Sequence, residues 1–275
     1  RIHTTFQNLV TATGRLSSTE PNLQNIPVRT DLGAEIRKMF IPKPGHVLVD
    51  ADYSQIELRV LAHIADDENM CNAFRSGMDI HTVTASQVFG VEPEQVTSLQ
   101  RRHAKAVNFG IVYGISEFSL SEDIGVSRYE ARDYIDSYLT HYPGVRRYMK
   151  QVVSDARDTG YTRTIYGRRR SIPELKSSNF NVRSGAERIA LNTPIQGTAA
   201  DIIKLAMIRV DRALRDKFPD AKLILQVHDE LIVECPEALA PQVAELVSRE
   251  MENVASLNVP LTAEAKWGKS WYDAK

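Results

Sequence analysis

Two short apolar runs joined by a polar link constrain the fold of this chain more than any other feature. The segment LILQVHDELIVE, residues 223–234, carries His228, Asp229 and Glu230 between its apolar runs. Strand-like runs that meet at a short polar link are typical of a β-hairpin. Hairpin links favour Asn-Gly or Asp-Gly because their turns need positive φ, and this link contains no glycine. The acids are either a solvated turn without function or part of a site completed by another acidic cluster.

A second acidic cluster occurs in VLVDADYSQIELR, residues 47–59, where the apolar run at 47–49 is typical of a buried strand. Asp50 and Asp52 share one face of that strand because side chains alternate. A buried carboxylate is costly unless it is paired or bound to a cation. If the fold brings Asp52 beside Asp229, two divalent cations about 3.5–4 Å apart would relieve the repulsion and suit in-line phosphoryl transfer.

A stripe of cations and rings follows one side of a predicted helix at residues 99–114. Arg101, Lys105, Phe109 and Tyr113 recur at every fourth position, which keeps them on one side over ~18 Å. The order of charge then ring matches a nucleoside triphosphate, with its phosphates at one end and its base at the other. The alternative is a common helix layout, with rings in the core and cations at the surface.

Composition and charge set the class of protein. The 275 residues are 43% hydrophobic and 25% charged, which is typical of a globular protein. No apolar run approaches the ~18 residues of a membrane span, and Cys71 and Cys235 do not form a zinc pattern. Residues 145–190 carry eleven Lys or Arg against four acids, whereas residues 229–253 carry seven acids against one Arg. This division favours a protein that holds polyanions in one place and cations in another, although solvated helix faces would give the same pattern.

The hydrophobic pattern predicts strands near both ends of the chain and helices between them. We therefore expect an α+β core with a large helical insertion. The predicted elements are a strand at 46–52, a helix at 56–64, helices from 66 to about 156, an irregular basic linker at 166–179, a helix from 183 that ends at Thr193-Pro194, a second helix at about 198–214, the hairpin, a helix at about 240–254 and an extended tail.

Several long motifs in order resemble the family A DNA polymerases, and the bacterial DNA polymerase I group in particular. The main ones are DYSQIELR at 52–59, RRxxKxxNFGxxYG at 101–114 and QVHDE at 226–230. Shorter matches are TGRLSSTEPNLQNIP at 13–27, DIH at 79–81, TPIQGTAADI at 193–202 and WYDAK at 271–275, which resembles the family's carboxyl terminus. The resemblance runs from end to end.

The resemblance implies a right-hand polymerase fold of the α+β class. Residues 1–55 and 182–275 would form the palm, an antiparallel sheet with helices, and residues 56–181 would form inserted helical fingers. The family's thumb and proofreading domain would precede Arg1 and be absent here.

The resemblance also implies the reaction, which is template-directed addition of deoxynucleoside triphosphates to a primer 3′-hydroxyl with release of pyrophosphate. Asp52, Asp229 and the backbone carbonyl of Tyr53 would hold two magnesium ions, with Glu230 as a further catalytic residue. One ion would lower the pKa of the 3′-hydroxyl, and the other would stabilise the pyrophosphate. The enzyme would serve DNA replication and repair.

The nucleotide contacts implied by the resemblance lie on three segments. Arg101, Lys105 and His81 would grip the triphosphate, and Lys105 would also donate a proton to the leaving group. Phe109 would pack on the sugar, Tyr113 would lie beside the templating position, and Glu57 would block a ribose 2′-hydroxyl. Gln55 completes the implied set.

The implied primer-template contacts are Arg15, Asn22, Gln24, Asn25, Arg188, Asn192, Gln196 and His228. Donors facing the minor groove meet similar acceptors at every base pair, so they test pair geometry without reading sequence. For Asn22 and Asn25, helix capping and local hydrogen bonding are the alternative. The remaining expectations are a monomer without a membrane partner, located in the cytoplasm and associated with the nucleoid.

Three other functions fit parts of the sequence. A metal-dependent nuclease uses paired acids but has no need of the stripe from Arg101 to Tyr113. A non-catalytic DNA-binding fragment would bind duplex without magnesium and without extension. A single-subunit RNA polymerase is disfavoured because Glu57 would obstruct a ribose.

Overall fold

The computed structural model describes residues 1–27 and 31–275, and these residues form two compact units. We call the first the sheet unit; it comprises Arg1–Ile56, Ala199–Ser256 and Leu261–Lys275. We call the second the helical unit; it comprises Glu57–Thr198 and Leu257–Pro260. The predicted combination of helices with antiparallel sheets is confirmed. None of the helices in the described ranges combines the length and the apolar character that a membrane span requires.

The sheet unit is built around a four-stranded antiparallel sheet. Its elements are β1 (Thr5–Gln7), β2 (Ser17–Thr19), α1 (Asp31–Lys38), β3 (His46–Tyr53), β6 (Lys222–Val227), β7 (Glu230–Pro236), α10 (Ala240–Glu252) and β8 (Ala263–Gly268). The strand order is β6-β7-β3-β8. The predicted strand at 46–52 is thus an inner strand, and its residues from Val47 to Ala51 are all buried, which agrees with its apolar run.

The two faces of β3 have different environments. Tyr53 lies on the face towards α10, where its hydroxyl donates to the carbonyl of Met251 at 2.6 Å. Leu48 lies on the opposite face and packs in a core cluster with Ile232 and Trp271. Because side chains alternate along a strand, Asp50 and Asp52 share the face of Leu48. The indole nitrogen of Trp271 donates to Asp50 at 3.3 Å, which agrees with that placement.

The predicted hairpin is confirmed, and its turn consists of His228 and Asp229 between β6 and β7. His228 has φ of 51°, so a histidine takes the left-handed conformation that glycine usually supplies. The missing glycine of the sequence pattern therefore does not prevent the turn. This conformation brings Asp229 directly before β7, next to the inner strand β3.

The helical unit consists of short helices with well-formed ends and one small hairpin. Its elements are α2 (Ile56–Ala65), α3 (Glu68–Arg75), α4 (Ile80–Phe89), α5 (Ser98–Val112), α6 (Glu117–Ile124), α7 (Arg128–His141), α8 (Pro143–Thr159), β4 (Tyr161–Arg163) and β5 (Arg169–Ser171). Helix α5, which carries the predicted stripe, begins with a capping box between Thr97 and Gln100. Such a box satisfies two free amides at the start of a helix and fixes where the stripe begins.

Asp67 joins two helices of this unit. Its carboxylate accepts from the amide of Met70 at 3.0 Å, which caps α3, and from the amide of Gly144 at 2.7 Å, at the start of α8. Asp67 is 1% exposed. A Cβ at position 144 would lie 2.8 Å from Cα of Asp67, so the close packing there requires glycine. One carboxylate therefore satisfies two helix starts that pack in direct contact.

Replacement of Asp67 by Ala is expected to lower the free energy of unfolding by about 3 kcal/mol, since a cap and a charge-assisted hydrogen bond are both lost. Urea unfolding followed by circular dichroism measures this loss. The matched control is Glu68→Ala, at an exposed position of α3, where we expect a change within about 0.5 kcal/mol. Equal midpoints for the two variants would contradict the prediction.

The predicted break at Thr193-Pro194 is wrong, because a single helix, α9, runs over Phe180–Lys217 with Pro194 inside it. A proline in a helix removes one amide donor and leaves the carbonyl four residues earlier without a partner. Here the hydroxyl of Thr162 lies 3.5 Å from that carbonyl, of Ala190, and donates to it. The hydroxyl of Thr193 donates to Ile189 at 2.7 Å, and that of Tyr148 to Leu191 at 3.0 Å. These donors satisfy the turn before Pro194 and allow the helix to continue.

The segment at 166–179, predicted to be irregular, is partly ordered. Strands β4 and β5 pair in antiparallel register from Tyr161↔Ser171 to Arg163↔Arg169, and a 3-10 turn follows at Pro173–Lys176. The guanidinium of Arg169 lies 4.7 Å from the ring centre of Tyr161. The hydrophobic pattern did not predict this hairpin because Arg169 and Arg170 do not give β5 an apolar alternation. The cation–π contact between Arg169 and Tyr161 across the two strands stabilises it instead.

Candidate active site

The fold brings the two predicted acidic clusters together on the sheet unit. Asp52, near the end of β3, pairs in register with Glu230, the first residue of β7. The amide of Tyr53 donates to the backbone carbonyl of Asp229 at 3.2 Å. Asp52 and Asp229 therefore lie at the same end of neighbouring strands, although 176 residues separate them in the sequence.

Burial, with smaller contributions from neighbouring carboxylates, raises the pKa of two acids at this end of the sheet. Burial raises the pKa of Asp52, and the nearby charges of Asp50 and Glu264 add to the effect, while Lys275 opposes it. Burial also raises the pKa of Asp229, with Asp52 adding to the effect. Arg15 opposes it across an ion pair of 3.8 Å. The site thus brings together buried carboxylates whose ionisation is disfavoured.

The donor set of this cluster suits a hard divalent cation. Carboxylate oxygens and the backbone carbonyl of Tyr53 are the ligand types that magnesium prefers. Buried oxygens of Asp50 and Glu230, Oδ1 and Oε2, have no hydrogen-bond partner among the described residues, so the cluster has unused acceptor capacity. Within the described ranges, no three His, Cys, Asp or Glu side chains are gathered as a ready metal site.

Gln24 and Gln226 brace the hairpin that carries Asp229. The side-chain amide of Gln24 donates to the backbone carbonyl of Gln226 at 3.3 Å and to its side-chain oxygen at 3.1 Å. The side chain of Gln226 in turn donates to the carbonyl of His228. The position of Asp229 is therefore fixed by the hydrogen bonds of Gln24 and Gln226 as well as by the pairing of β6 with β7.

In the helical unit, the cations of α5 are exposed while its rings are partly packed. Arg101 forms two hydrogen bonds to Asp79, at 2.8 and 3.1 Å, and Lys105 is exposed. Burial alone would raise the pKa of Asp79, but the hydrogen bonds from Arg101 and Thr82 lower it to about 2. Arg101 is thus held in place by a carboxylate, in a geometry that also suits a phosphate.

The rings of His81 and Phe109 pack against each other in the helical unit. Their ring centres are 5.8 Å apart, and Nδ1 of His81 lies 3.1 Å from the side-chain nitrogen of Asn108. Burial lowers the pKa of His81 to about 4, although the charge of Asp79 opposes the shift. His81 is therefore uncharged at neutral pH, so it can contribute a hydrogen bond to an anion but no positive charge.

Glu57 and Tyr113 are joined directly. The hydroxyl of Tyr113 donates to Oε2 of Glu57 at 2.9 Å. Glu57 is 5% exposed, whereas Tyr113 is 45% exposed. Glu57 lies on α2 and Tyr113 directly follows α5, so the structure connects the DYSQIELR motif with the last ring of the α5 stripe.

The predicted DNA contacts of the sheet unit have different environments. Arg15 pairs with Asp229, and His228 is exposed at the turn. Asn22 accepts from the amide of Gln24 at 3.0 Å, which is the local capping that the sequence left as an alternative. Asn25 is exposed and Gln55 is half-buried with φ of 54°.

The predicted DNA contacts of the helical unit lie on one side of α9. Arg188, Asn192 and Gln196 are spaced by four residues, so they form one row. The side chain of Asn192 donates to the carbonyl of Val112 at 3.4 Å. Gly114 has φ of 66°, and a Cβ there would lie 3.2 Å from the side chain of Arg188. The row therefore begins in close contact with the end of α5.

The sequence comparison decides the family. The model of the family described as DNA polymerase family A matches residues 1–273, which is nearly the whole chain. The chain belongs to DNA polymerase family A. The resemblance inferred from the motifs is confirmed.

Individual relatives of this family A chain are bacterial. It is 55% identical to DNA polymerase I of Caldicellulosiruptor bescii over 275 residues, which is 100% of this chain and 32% of that protein. It is also 55% identical to DNA polymerase I of Bacillus subtilis over 276 residues, which covers 31% of that protein. The chain thus spans about a third of the length of these relatives.

A solved structure has a closely similar fold. The polymerase domain of Pol1 from M. smegmatis, in complex with DNA primer-template and dNTP, matches with a TM-score of 0.95 and 48% identity. The match covers 100% of this chain and 48% of that one.

The sequence did not predict several contacts of the candidate residues within each unit. Asp79 holds Arg101, Asn108 contacts His81, and Lys275 forms an ion pair with Glu230. The DIH motif contained Asp79, but the spacing Asp-x-x-Thr indicates only a helix cap. Lys275 lies in the WYDAK motif, which indicated only a resemblance to the family's carboxyl terminus and no contact with Glu230.

Proposed function

We propose that this chain carries out template-directed DNA synthesis, adding deoxynucleoside triphosphates to a primer 3′-hydroxyl with release of pyrophosphate. The observation that carries the proposal is the pairing of Asp52 with the Asp229 hairpin on neighbouring strands in a member of DNA polymerase family A. The relatives named above are DNA polymerases I. We extend that activity to this shorter chain, and assign it to DNA replication and repair.

The two compact units suggest a division of roles. We assign the sheet unit to the palm and the helical unit to the fingers, and we assign no thumb within the described residues. The unit boundaries at Ile56 and Thr198 support a palm that starts its second part inside α9, later than the predicted residue 182.

Asp52 and Asp229, with the carbonyl of Tyr53, are the groups we propose to hold two magnesium ions. When bound, the metal would activate the 3′-hydroxyl and stabilise the pyrophosphate. The pKa of each carboxylate is raised, first by burial and then by neighbouring carboxylates. This supports the assignment, since the charge of a buried acid is costly without a cation. Glu230 would contribute by fixing the end of β7 beside Asp52.

The α5 stripe supports a role in nucleotide binding. Arg101 would exchange its two hydrogen bonds with Asp79 for phosphate oxygens. Lys105 would add a second charge and protonate the leaving group. His81, being neutral, would donate a hydrogen bond, and Phe109, which packs on it, would contact the sugar. Gln55 would complete the nucleotide pocket.

The proposed substrate DNA would be contacted by the row on α9 and by residues around the hairpin. Arg188, Asn192 and Gln196 would face the minor groove as donors. Arg15, Gln24 and His228 would lie near the primer end, because Arg15 pairs with Asp229 and Gln24 braces the turn. Asn22 and Asn25 complete the proposed set. We propose that the chain acts as a monomer in the bacterial cytoplasm, associated with the nucleoid.

Primer extension on a primed template, with magnesium and all four deoxynucleotides at low salt, tests the proposal. We expect products that lengthen in the order dictated by the template. A parallel reaction without nucleotides distinguishes a nuclease, which would shorten the strand. Magnesium-independent duplex binding without extension by the folded chain would overturn the proposal in favour of a DNA-binding fragment.

Glu57 provides a prediction on sugar selection. Replacement by Ala is expected to reduce the preference for deoxynucleotides over ribonucleotides by roughly 10- to 100-fold, because a steric clash in a packed pocket costs about 1–3 kcal/mol. The ratio of the incorporation rate of each deoxynucleotide to that of the ribonucleotide with the same base measures this preference. The control is Tyr113→Phe, which removes the hydroxyl bonded to Glu57 but keeps the carboxylate. Unchanged selection in Glu57→Ala would contradict the assigned role.

A further inference from the structure

Lys275 reaches into the carboxylate cluster of the sheet unit. Its ammonium forms an ion pair with Glu230, and its charge lowers the pKa of both Asp50 and Asp52 against the effect of burial. The side chain therefore acts on Asp50, Asp52 and Glu230, and Asp229 has Arg15 as its partner.

A well-packed turn holds Lys275 in this position. Trp271 and Ala274 are each 1% exposed in the core. The amide of Trp271 donates to the carbonyl of Phe40 at 2.9 Å, and its ring packs edge-on against Phe40 at 5.5 Å. The turn also lies against Gly268, where a Cβ would clash with the side chain of Asp273. The approach of Lys275 to the cluster is therefore part of the fold of this segment.

The cluster retains acceptor capacity even with Lys275 present. Asp50 is 4% exposed and Glu230 is 8% exposed, and among the described residues one oxygen of each has no hydrogen-bond partner. Arg37, which lies over the ring of Trp271 at 4.3 Å, supplies a further positive charge near Asp50. Lys275 and Arg37 thus place positive charge beside carboxylates that would otherwise repel one another.

We propose that Lys275 is a resident counter-ion of the carboxylate cluster and competes with the divalent cation for it. This inference rests on the proposed metal site at Asp52 and Asp229. A fixed positive charge beside the site raises the free energy of a bound divalent ion, and its removal lowers that free energy. Lys275 would thereby stabilise the metal-free protein and weaken metal binding.

Manganese binding, followed by the electron paramagnetic resonance signal of the free ion, tests the proposal in the full chain. We expect Lys275→Met to half-saturate at a manganese concentration about fivefold lower than the parent, as expected for loss of one screened charge. Lys275→Arg keeps the charge and should bind as the parent does. The matched control is Lys269→Met, which removes an exposed lysine paired with Glu237 and should change nothing.

The outcomes separate this inference from the proposed function. If the parent binds no manganese, or Asp229→Ala binds as well as the parent, the metal site and this inference both fail. If the parent binds through Asp229 and Lys275→Met binds equally or more weakly, only the inference fails.

Amine labelling of Lys275 in the parent provides a second test that needs no variant. We expect the labelling rate of Lys275, divided by that of Lys269, to be higher with magnesium than without it. An equal ratio of the two rates with and without magnesium would overturn the proposal.

Discussion

Asp229→Ala is expected to reduce primer extension about 1,000-fold, which corresponds to about 4 kcal/mol of transition-state stabilisation. Asp229 lies at the hairpin turn, with its backbone carbonyl bonded to the amide of Tyr53. The proposed metal site has two side-chain carboxylates, so removal of one should abolish the binding of at least one ion and its chemistry. Single-turnover extension at saturating nucleotide measures the loss.

Stability gives a second, independent expectation for this variant. The pKa of Asp229 is raised in the folded protein, so the folded state binds a proton more tightly than the unfolded state does. Ionisation at neutral pH therefore destabilises the metal-free fold. Without metal, Asp229→Ala should unfold at a temperature equal to or above that of the parent, which excludes misfolding as the cause of inactivity.

The matched control for this variant is Asp220→Ala. Asp220 is an exposed acid just before β6, the first strand of the same hairpin. We expect extension by this variant to stay within about twofold of the parent, since surface substitutions rarely change stability by more than about 0.5 kcal/mol. Equal extension by Asp229→Ala and Asp220→Ala would show that the metal site lies elsewhere.

Arg101→Ala is expected to raise the nucleotide concentration needed for half-maximal extension by about 30- to 150-fold. Arg101 presents two donors that bind the carboxylate of Asp79, and a fork of this kind binds phosphate equally well. A lost pair of charge-assisted hydrogen bonds costs about 2–3 kcal/mol. Steady-state extension at varied nucleotide concentration separates this effect from a change in maximal rate.

Arg102→Ala is the control for Arg101→Ala, because the two arginines are adjacent and both exposed on α5. It removes the same charge from the same helix but from another side. Its apparent affinity for nucleotide should stay within about threefold of the parent, as screened charges at a distance contribute little. Similar losses in both variants would assign the effect to net charge and contradict a specific contact by Arg101.

Local pattern determined the elements that carry the site. The apolar run at 47–49 predicted β3, and the paired runs around His228 predicted the hairpin. The periodicity of residues 99–114 predicted α5, which the structure places at Ser98–Val112. Each of these signals lies within one segment, where side-chain periodicity reports directly which residues are buried. The motifs likewise identified DNA polymerase family A without any structure.

Pattern failed where a distant residue satisfies a local defect. Pro194 predicted a helix end, yet Thr162 donates to the carbonyl that the proline leaves free. Strands β4 and β5 were missed because their arginines gain stability from the ring of Tyr161 rather than from alternation. Propensity rules describe a chain without such partners, and tertiary contacts override them.

The sequence by itself determined the family, strand β3, the β6–β7 hairpin and the identity of the candidate acids and cations. Only the tertiary structure decided which of them meet. It placed Asp52 beside the Asp229 turn, joined Tyr113 to Glu57, paired Arg101 with Asp79 and brought Lys275 to Glu230. These contacts join residues from 22 to 177 positions apart. The partners of a charge are set by chain folding between distant segments, and no periodicity of either segment records them.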